Sequence, residues 1–384
     1  MEDPFHKRYA SEDEVSNFHL MEETDSLLRW ALNVLISISC SLEAKNLEPL
    51  NSGSITYIIK LELLMNRTNI TFIALFVVMM VFIFNCAEDT SGVKFIREGQ
   101  HTVKILIDGQ HLTTYSLSPD SEKAVFFPLN SPGGNMINRG FPIVKGVPDE
   151  SQDHPHHQSF WFTYGDVNGV DFWNEPGDPK RNGKIVPTKV KCTDGKKVGG
   201  MVAYADWVMP EGWVALKEEK EVFVYNMSDY RAMDFTIKLT AQDSVIQFGD
   251  TKEGMFGLRV TPTLKVDNGA QYLNSDSLVG KEQCWGKRAA WLALTGPVKD
   301  EILTIAIFNH PESINFPCFW HARGYGLTAA NPFGRKAYTK GAEEPLGHVL
   351  EPGESITFKA RLMIQSGAMT KDQLDQAFKE YQEM

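Results

Sequence analysis

The sequence predicts an all-β protein, built as a large antiparallel β-sandwich with one helix at its C-terminus. Three observations support this fold class. Strand-length segments rich in β-branched and aromatic residues follow one another, separated by Gly, Asn, Asp and Pro. No helical segments alternate with them, which favours a sandwich or barrel over a parallel βαβ sheet. The chain has 384 residues, 42% of them hydrophobic, and this is enough for one large core.

The individual elements follow from local signals. Asp108-Gly109 is a common hairpin turn, and it separates predicted strands at 102–107 and 112–117. A helix is predicted over Lys371 to Tyr381, because Thr370 can cap its N-terminus. Further strands are predicted at residues 124–129, 159–164, 185–192, 201–208, 220–226, 232–240, 245–248, 256–260, 302–308 and 355–365.

Charge and cysteine spacing exclude several classes of protein. The net charge is -11, whereas a nucleic-acid-binding protein needs a concentrated basic face. The five cysteines, at positions 40, 86, 192, 284 and 318, have no Cys-x-x-Cys spacing. A zinc knuckle, a redox pair and a disulfide framework are therefore not expected.

One segment differs in kind from the rest of the chain. Residues 70–84 form a 15-residue apolar run, preceded by Arg67 and followed closely by Cys86. This order is typical of a signal peptide, and the run is short for a helix that spans a bilayer. The segment resembles a lipoprotein signal with Cys86 as the lipidated residue, although Asn85 departs from the usual small residue. The alternative is a membrane-anchoring helix.

This interpretation divides the chain into three parts. Residues 1–64 are expected to lie upstream of the true start and to form no functional domain. Residues 65–86 are the expected lipoprotein-type signal peptide, and residues 95–384 the single β-sandwich domain. The protein is then exported, as a periplasmic, outer-membrane or cell-surface lipoprotein that contacts the membrane by its lipid anchor only.

The densest polar cluster is a group of three histidines. His154, His156 and His157 follow Asp153 and precede Trp161, and Pro155 places them at the start of a strand. Histidines beside an indole ring could bind sugar hydroxyls. The same three side chains could also bind a divalent metal through their ring nitrogens.

Two further clusters carry candidate chemistry. Asp250, Lys252 and Glu253 precede a glycine-rich strand, where a buried carboxylate could serve as a general base. A charged turn in solvent would give the same pattern. His321 and Arg323 would share one face of an extended segment, which pairs an acid-base group with a binder of anions or hydroxyls.

At these clusters the sequence resembles a known bacterial family. The phrases D-H-P-H-H-Q-S-F-W-F, G-D-T-K-E-G-M-F-G-L-R-V and W-H-A-R-G-Y-G-L-T-A-A-N-P-F-G occur in that order. They resemble the "PmoA-like" family, a domain of unknown function often labelled methane oxygenase PmoA. The resemblance implies exported proteins of polysaccharide-degrading bacteria, with a fold similar to the galactose-mutarotase-like supersandwich. Methane oxidation is rejected, because such a subunit would be a multi-helix membrane protein.

Three hypotheses about function follow. The first is a carbohydrate-active enzyme that carries out hydrolysis, elimination or epimerisation without a cofactor. In it His157 or His321 is the general acid and Glu253 the general base. Its further predicted substrate-binding residues are Arg139, Asp153, His154, His156, Trp161, Trp173, Asp250, Lys252 and Arg323.

The second hypothesis is a glycan-binding lipoprotein without catalysis, with Trp161, Trp173 and Trp320 as a stacking platform. The third is a metalloenzyme ligated by the clustered histidines together with His321. In every case the expected partner is a carbohydrate or oligosaccharide and not a nucleic acid.

Overall fold

The computed structural model describes residues 90–117, 123–173 and 180–384. Thr90 to Met384 form one compact unit. The expected signal peptide, its Cys86 and residues 1–64 lie outside the described residues. Among the helices that the structure describes, none is long and apolar enough to cross a membrane.

Two eight-stranded sheets and a two-stranded ribbon make up the described fold, and all strand pairings within them are antiparallel. Sheet 1 has the order β1-β2-β3-β4-β5-β11-β16-β15, and sheet 2 the order β12-β13-β14-β18-β9-β8-β7-β6. The strands are β1 Val93–Arg97, β2 Val103–Ile107, β3 Gln110–Leu117, β4 Ala124–Leu129, β5 Phe160–Tyr164, β6 Lys184–Thr193, β7 Val198–Val208, β8 Val214–Asn226, β9 Tyr230–Ala241, β10 Ile246–Phe248, β11 Gly254–Arg259, β12 Gln271–Asn274, β13 Trp291–Val298, β14 Glu301–Asn309, β15 Phe319–Ala322, β16 Leu327–Asn331, β17 His348–Leu350 and β18 Ser355–Ser366.

Helices are few and short in the described residues. The α-helices are α1 Lys281–Cys284, α2 Arg335–Tyr338 and α3 Lys371–Gln382, and two 3-10 turns span Pro262–Leu264 and Val266–Asn268. Thr370 caps α3 through a complete capping box with Gln373, as the sequence predicts. The prediction of an all-β sandwich with a C-terminal helix is confirmed.

Aromatic side chains join the two sheets into a sandwich. Phe126 of β4 contacts Phe235 of β9 with ring centroids 5.5 Å apart, and Phe162 of β5 contacts Phe358 of β18 at 5.6 Å. Because side chains alternate along a strand, Trp161 must then point to the opposite face of sheet 1. Trp161 lies on that face in a small apolar cluster that also includes Trp173 and Ala329. Sheet 1 is therefore covered on both faces.

Candidate functional site

A row of residues across the outer face of sheet 1 forms the floor of the candidate site. Trp161 lies opposite Gly257, Gly257 opposite Ala329, and Ala329 opposite His321. Residues directly opposite one another share a face, and three strand spacings of about 4.8 Å place Trp161 and His321 roughly 14 Å apart. The two middle positions carry almost no side chain. The row therefore has an aromatic residue at one end and a histidine at the other, and the Trp161 indole lies over Gly257 between them.

Arg139 fixes the loop that carries the histidines. Its Nη1 donates to the carbonyls of Ser151 at 3.1 Å and Asp153 at 2.8 Å, and also to the Asp153 carboxylate at 2.9 Å. Its Nη2 donates to the carbonyls of His154 at 2.8 Å and His157 at 3.0 Å. The side chain is fully buried. Predicted as a substrate-binding residue, Arg139 uses both terminal nitrogens to hold the loop.

The loop geometry differs from the predicted strand start. The sequence predicts a strand from Ser159 with the histidines alternating into it, whereas β5 begins at Phe160. The backbone has positive φ at His154, 44°, and at Ser159, 60°. A strand requires negative φ, so these two residues lie outside a strand, and the chain between them turns at Pro155 and His156. The turn brings the three imidazoles together on one side.

Arg259, at the end of β11, organises the same loop and was not among the predicted site residues. Its Nη2 donates to the Asp153 carboxylate at 2.9 Å, and its Nη1 donates to Nδ1 of His157 at 3.2 Å. A guanidinium has no acceptor, so Nδ1 must accept and the neutral His157 ring carries its hydrogen on Nε2. The guanidinium also lies 4.5 Å from the Tyr325 ring centroid. In the sequence, Arg259 could have been noticed as a charged residue at the end of an apolar strand.

The electrostatics of the loop keep its imidazoles neutral. Burial, followed by the neighbouring His156 and Arg259, holds the pKa of His157 well below its ordinary value. Burial likewise lowers the pKa of His156 to about 3 and lowers that of His154. Partial burial would raise the pKa of Asp153, but Arg259 and other donors outweigh it and the pKa is lowered. The loop thus presents three neutral rings beside one carboxylate.

The three imidazoles are close enough to be considered as metal ligands. Their candidate ligand nitrogens lie within 4.8 Å of one another. His154 stacks on His157 with centroids 4.7 Å apart and on Tyr325 at 5.4 Å, and His157 stacks on Trp161 at 5.6 Å. Neutral imidazole is the form that binds metal. Coordination by Nε2 of His157 would nevertheless require that nitrogen to lose its proton, because Nδ1 accepts from Arg259. The positively charged guanidinium groups of Arg139 and Arg259 also lie near the loop, and they would repel a metal cation.

Glu253 and His321 form a second polar group on the same face. Oε2 of Glu253 lies 3.8 Å from Nδ1 of His321, and the other carboxylate oxygen pairs with Lys252. Burial, then Arg323 and Lys252, lower the pKa of His321 to about 3, while the backbone of Lys252 partly opposes this as a hydrogen-bond partner. Nδ1 of His321 has no hydrogen-bond partner among the described residues. Nδ1 of His321 thus faces the Glu253 carboxylate without making a hydrogen bond to it.

The histidine loop and the Glu253–His321 pair belong to one region. Burial lowers the pKa of His154 and the charge of Glu253 partly opposes this, while His154 in turn contributes to the low pKa of His321. Tyr325 adjoins both groups, since it stacks on His154 and its own pKa is affected by Glu253. The three sequence clusters converge because β5, β11, β16 and β15 are consecutive strands of sheet 1.

Asp250 is predicted to bind substrate, but its carboxylate is occupied by the backbone. It accepts hydrogen bonds from the amides of Lys336 at 2.8 Å, Ala337 at 2.9 Å and Leu346 at 2.9 Å. The first two amides belong to α2. This contact set indicates that Asp250 holds α2 and the following loop in place.

The three tryptophans proposed as a stacking platform are buried. Trp161 is 1% exposed, and Trp173 and Trp320 are 0% exposed. Trp320 lies in the core between the sheets, where its indole donates to the carbonyl of Ala289 at 2.9 Å. Trp161 and Trp173 pack beside His157 instead. These three indoles do not form an exposed surface for a sugar ring.

Beside the Glu253–His321 pair lies a cleft of about 440 Å³, lined by Trp285, Arg323 and Tyr325 among others. Arg323 was predicted as a binding residue, and the cleft adds Trp285 and Tyr325 to it. Tyr325 lies inside a phrase that the sequence already singles out. Trp285 follows the short helix α1 and had no sequence signal.

Comparison with solved structures returns carbohydrate enzymes at low similarity. An alpha-galactosidase from Geobacillus stearothermophilus is 11% identical with a TM-score of 0.31, and the match covers 72% of this chain and 40% of that one. A galactose mutarotase related enzyme from Lactobacillus acidophilus is 13% identical with a TM-score of 0.28, covering 72% of this chain and 98% of that one. The chain thus spans about 40% of the alpha-galactosidase. Similarity at this level does not determine an activity.

The sequence matches no protein of curated function. The PmoA-like label is not confirmed, since the family that does match has no assigned function. That match covers residues 102–379, which is nearly the whole described β-sandwich. The chain belongs to the family of unknown function DUF6807.

Proposed function

We propose that the protein is a carbohydrate-active enzyme in which Glu253 and His321 move protons on and off a sugar. One observation carries this proposal. Among the clustered carboxylates of the described site, Glu253 has an oxygen that faces a neutral imidazole, 3.8 Å from Nδ1 of His321. Asp153 is held by two guanidinium groups, and Asp250 by three backbone amides.

The roles follow from the protonation states. The Glu253 carboxylate is an acceptor, so a hydroxyl or an acidic C–H beside it can lose a proton to Glu253. His321 starts as a neutral ring, because its pKa is about 3. It therefore acts as an acid only after it has received a proton. This departs from the sequence-based expectation that His321 begins as the general acid.

The arrangement favours epimerisation or elimination over hydrolysis. Hydrolysis of a glycosidic bond ordinarily uses two carboxyl groups on either side of the bond, one of them with a raised pKa. The pKa of Asp153 is lowered by its arginine partners instead. A single carboxylate working with a histidine suits a reaction that removes a proton and returns one.

The test is a panel of mono- and oligosaccharides incubated with the purified protein, with products followed by mass spectrometry and anomeric proton NMR. Glu253→Gln and His321→Gln are expected to lower the rate by about 10²–10⁴-fold, which is the usual contribution of general acid-base catalysis. Glu219→Gln is the control, because Glu219 is exposed on β8 of sheet 2. Full activity in Glu253→Gln would exclude the mechanism. Saturable binding without turnover would favour the glycan-binding alternative.

A metal centre is the second candidate, supported by the 4.8 Å grouping of His154, His156 and His157. Calorimetry with Zn²⁺ separates the two proposals. Binding that disappears in His156→Ala, together with chelator-sensitive turnover, would favour the metal centre. His310→Ala is the control, since His310 contacts Tyr381 of α3 away from the loop.

We also propose that the chain is exported and anchored by a lipid on Cys86, on the strength of the signal-like residues 65–86. Metabolic labelling with a radioactive fatty acid should mark the wild-type protein and leave Cys86→Ser unlabelled. Equal labelling of both would exclude this anchor.

A further inference from the structure

The cleft adjoins the Glu253–His321 pair through residues that neighbour both. Arg323 lines the cleft and also lowers the pKa of His321. The Tyr338 ring lies 5.5 Å from Trp285 and 6.1 Å from His321, so it bridges the cleft and the pair. At about 440 Å³ the cleft falls in the size range of small-molecule sites.

Arg323 is the cation in this cleft that is free to take a new partner. Lys281 is already bound to Asp267 at 2.5 Å and lies 4.0 Å from Glu282. Arg323 makes no ion pair within the described ranges, and it is exposed. Its guanidinium lies 5.6 Å from the Tyr325 ring centroid and hydrogen-bonds to the Tyr325 side chain, which orients it and leaves its other donors open. A planar guanidinium with open donors suits a carboxylate.

Trp285 supplies the second half of a sugar site. Its ring is half-exposed, and its indole N–H is buried without a hydrogen-bond partner among the described residues. An unpaired buried donor is costly, and a ligand oxygen would satisfy it. Aromatic rings also stack on the apolar faces of sugars. The cleft thus combines a stacking ring, an unpaired donor and an unpaired cation.

We propose that this cleft binds an anionic sugar unit of the hexuronic acid class, with its carboxylate on Arg323 and its ring against Trp285. This inference rests on the proposed function, since it names the substrate of the same site. It also agrees with the chemistry of the pair. In a uronate the hydrogen on C5 is adjacent to the carboxylate, and a cation on that carboxylate makes the hydrogen more acidic.

The reaction then balances without a cofactor. Glu253 takes the C5 proton, and the electron pair of that bond is delocalised into the carboxylate held by Arg323. In epimerisation, C5 regains a proton from water on its other face, and Glu253 then releases its proton to solvent. In elimination, the pair forms a C4–C5 double bond while the C4–O bond breaks, and the departing oxygen takes the proton that Glu253 removed. Both outcomes need one carboxylate base and one carboxylate-binding cation, and epimerisation also needs water to reach the opposite face of C5.

The experiment uses ligands in which the carboxylate is either charged or neutralised by a methyl ester. Oligouronates from pectin, alginate and glucuronan are each compared with their methyl esters, and binding to the full chain is followed by tryptophan fluorescence. At least one acid is expected to bind about tenfold tighter than its ester, which is typical of one charge-assisted hydrogen bond. Arg323→Met should abolish that difference, whereas Arg323→Lys should keep part of it. Lys189→Met is the control, because Lys189 is exposed on β6 of sheet 2.

The outcomes separate this inference from the proposed function. Equal affinity for acids and esters, with either class turned over, would overturn the uronate assignment and leave the sugar enzyme standing. A preference for the acid that persists in Arg323→Met would place the carboxylate elsewhere and also overturn the assignment. If no saccharide of either class binds or reacts, the proposed function fails with it.

Discussion

Gly257 provides the space in which the Trp161 indole lies, and enlarging it should disturb the floor of the site. A Cβ atom at position 257 would lie 2.4 Å from Cζ2 and 2.5 Å from Cε2 of Trp161. Carbon atoms prefer about 3.5–4.0 Å, so Gly257→Ala requires the indole to move by about 1 Å. The indole is confined on its other sides by Trp173, at 5.1 Å, and by His157, at 5.6 Å. Movement therefore has to disturb the histidine loop.

The magnitude follows from two opposing terms. Overpacking a buried site costs about 1–3 kcal/mol. Replacing a strand glycine by alanine returns about 0.5–1 kcal/mol of backbone entropy. We expect Gly257→Ala to lower the free energy of unfolding by about 1–2 kcal/mol, and to reduce sugar binding because His157 is displaced.

Urea unfolding followed by circular dichroism measures this change. Gly99→Ala is the matched control, because a Cβ there meets Thr102 at an ordinary 3.5 Å and the backbone is not in the left-handed region. We expect the control to lie within about 0.5 kcal/mol of the wild type or slightly above it. Equal midpoints for the two variants would refute the idea that Trp161 is wedged against Gly257.

Two further predictions concern neighbouring residues. The pKa of His321 is about 3 in the folded protein and near 6.5 in the unfolded chain. The folded state therefore favours the neutral ring, and the resulting stability is fully present above pH 6.5 and is lost as the pH falls toward 3. In urea titrations between pH 6 and 4, the free energy of unfolding of the wild type should therefore fall more steeply than that of His321→Gln. The difference in slope should reach up to about 1.4 kcal/mol per pH unit. Parallel slopes would contradict the burial of His321 as a neutral ring. Asp250→Ala should cost about 2–3 kcal/mol, because three backbone amides lose their acceptor, while leaving saccharide affinity within about twofold. A tenfold loss of affinity in a stably folded Asp250→Ala protein would instead assign Asp250 to the binding site.

Strands could be predicted from the sequence where polar and apolar residues alternate, or where the strand ends at turn residues. Residues 124–129 were predicted as a strand and form β4 with the same bounds. Strand β13, Trp291–Val298, was not predicted, because both of its faces are buried. Leu292 and Leu294 face the core between the sheets, while Trp291 and Ala293 pack in a second cluster with residues of α3. Burial on both faces removes the polar alternation on which strand prediction depends.

The site could be predicted only in pieces. The sequence singled out Glu253, His321 and the histidine loop as separate clusters, since each is a dense polar phrase. It could not bring them together, because the order of strands in a sheet depends on long-range pairing. Arg259 stands at the end of an apolar run, and Trp285 lies outside the phrases that the sequence singled out. Their importance arises only from what the fold places beside them.

The binding of four loop carbonyls by Arg139 has a consequence for affinity. A loop that must order itself around a ligand loses conformational entropy at that moment, at a cost of about 1–2 kcal/mol per residue. Here the loop is already ordered in the folded protein, because the Arg139 guanidinium binds its carbonyls. The histidines are thus preorganised through their main chain, and their side chains can be exchanged without loosening the loop. Ligand preference at this loop can change while the shape of the site stays the same.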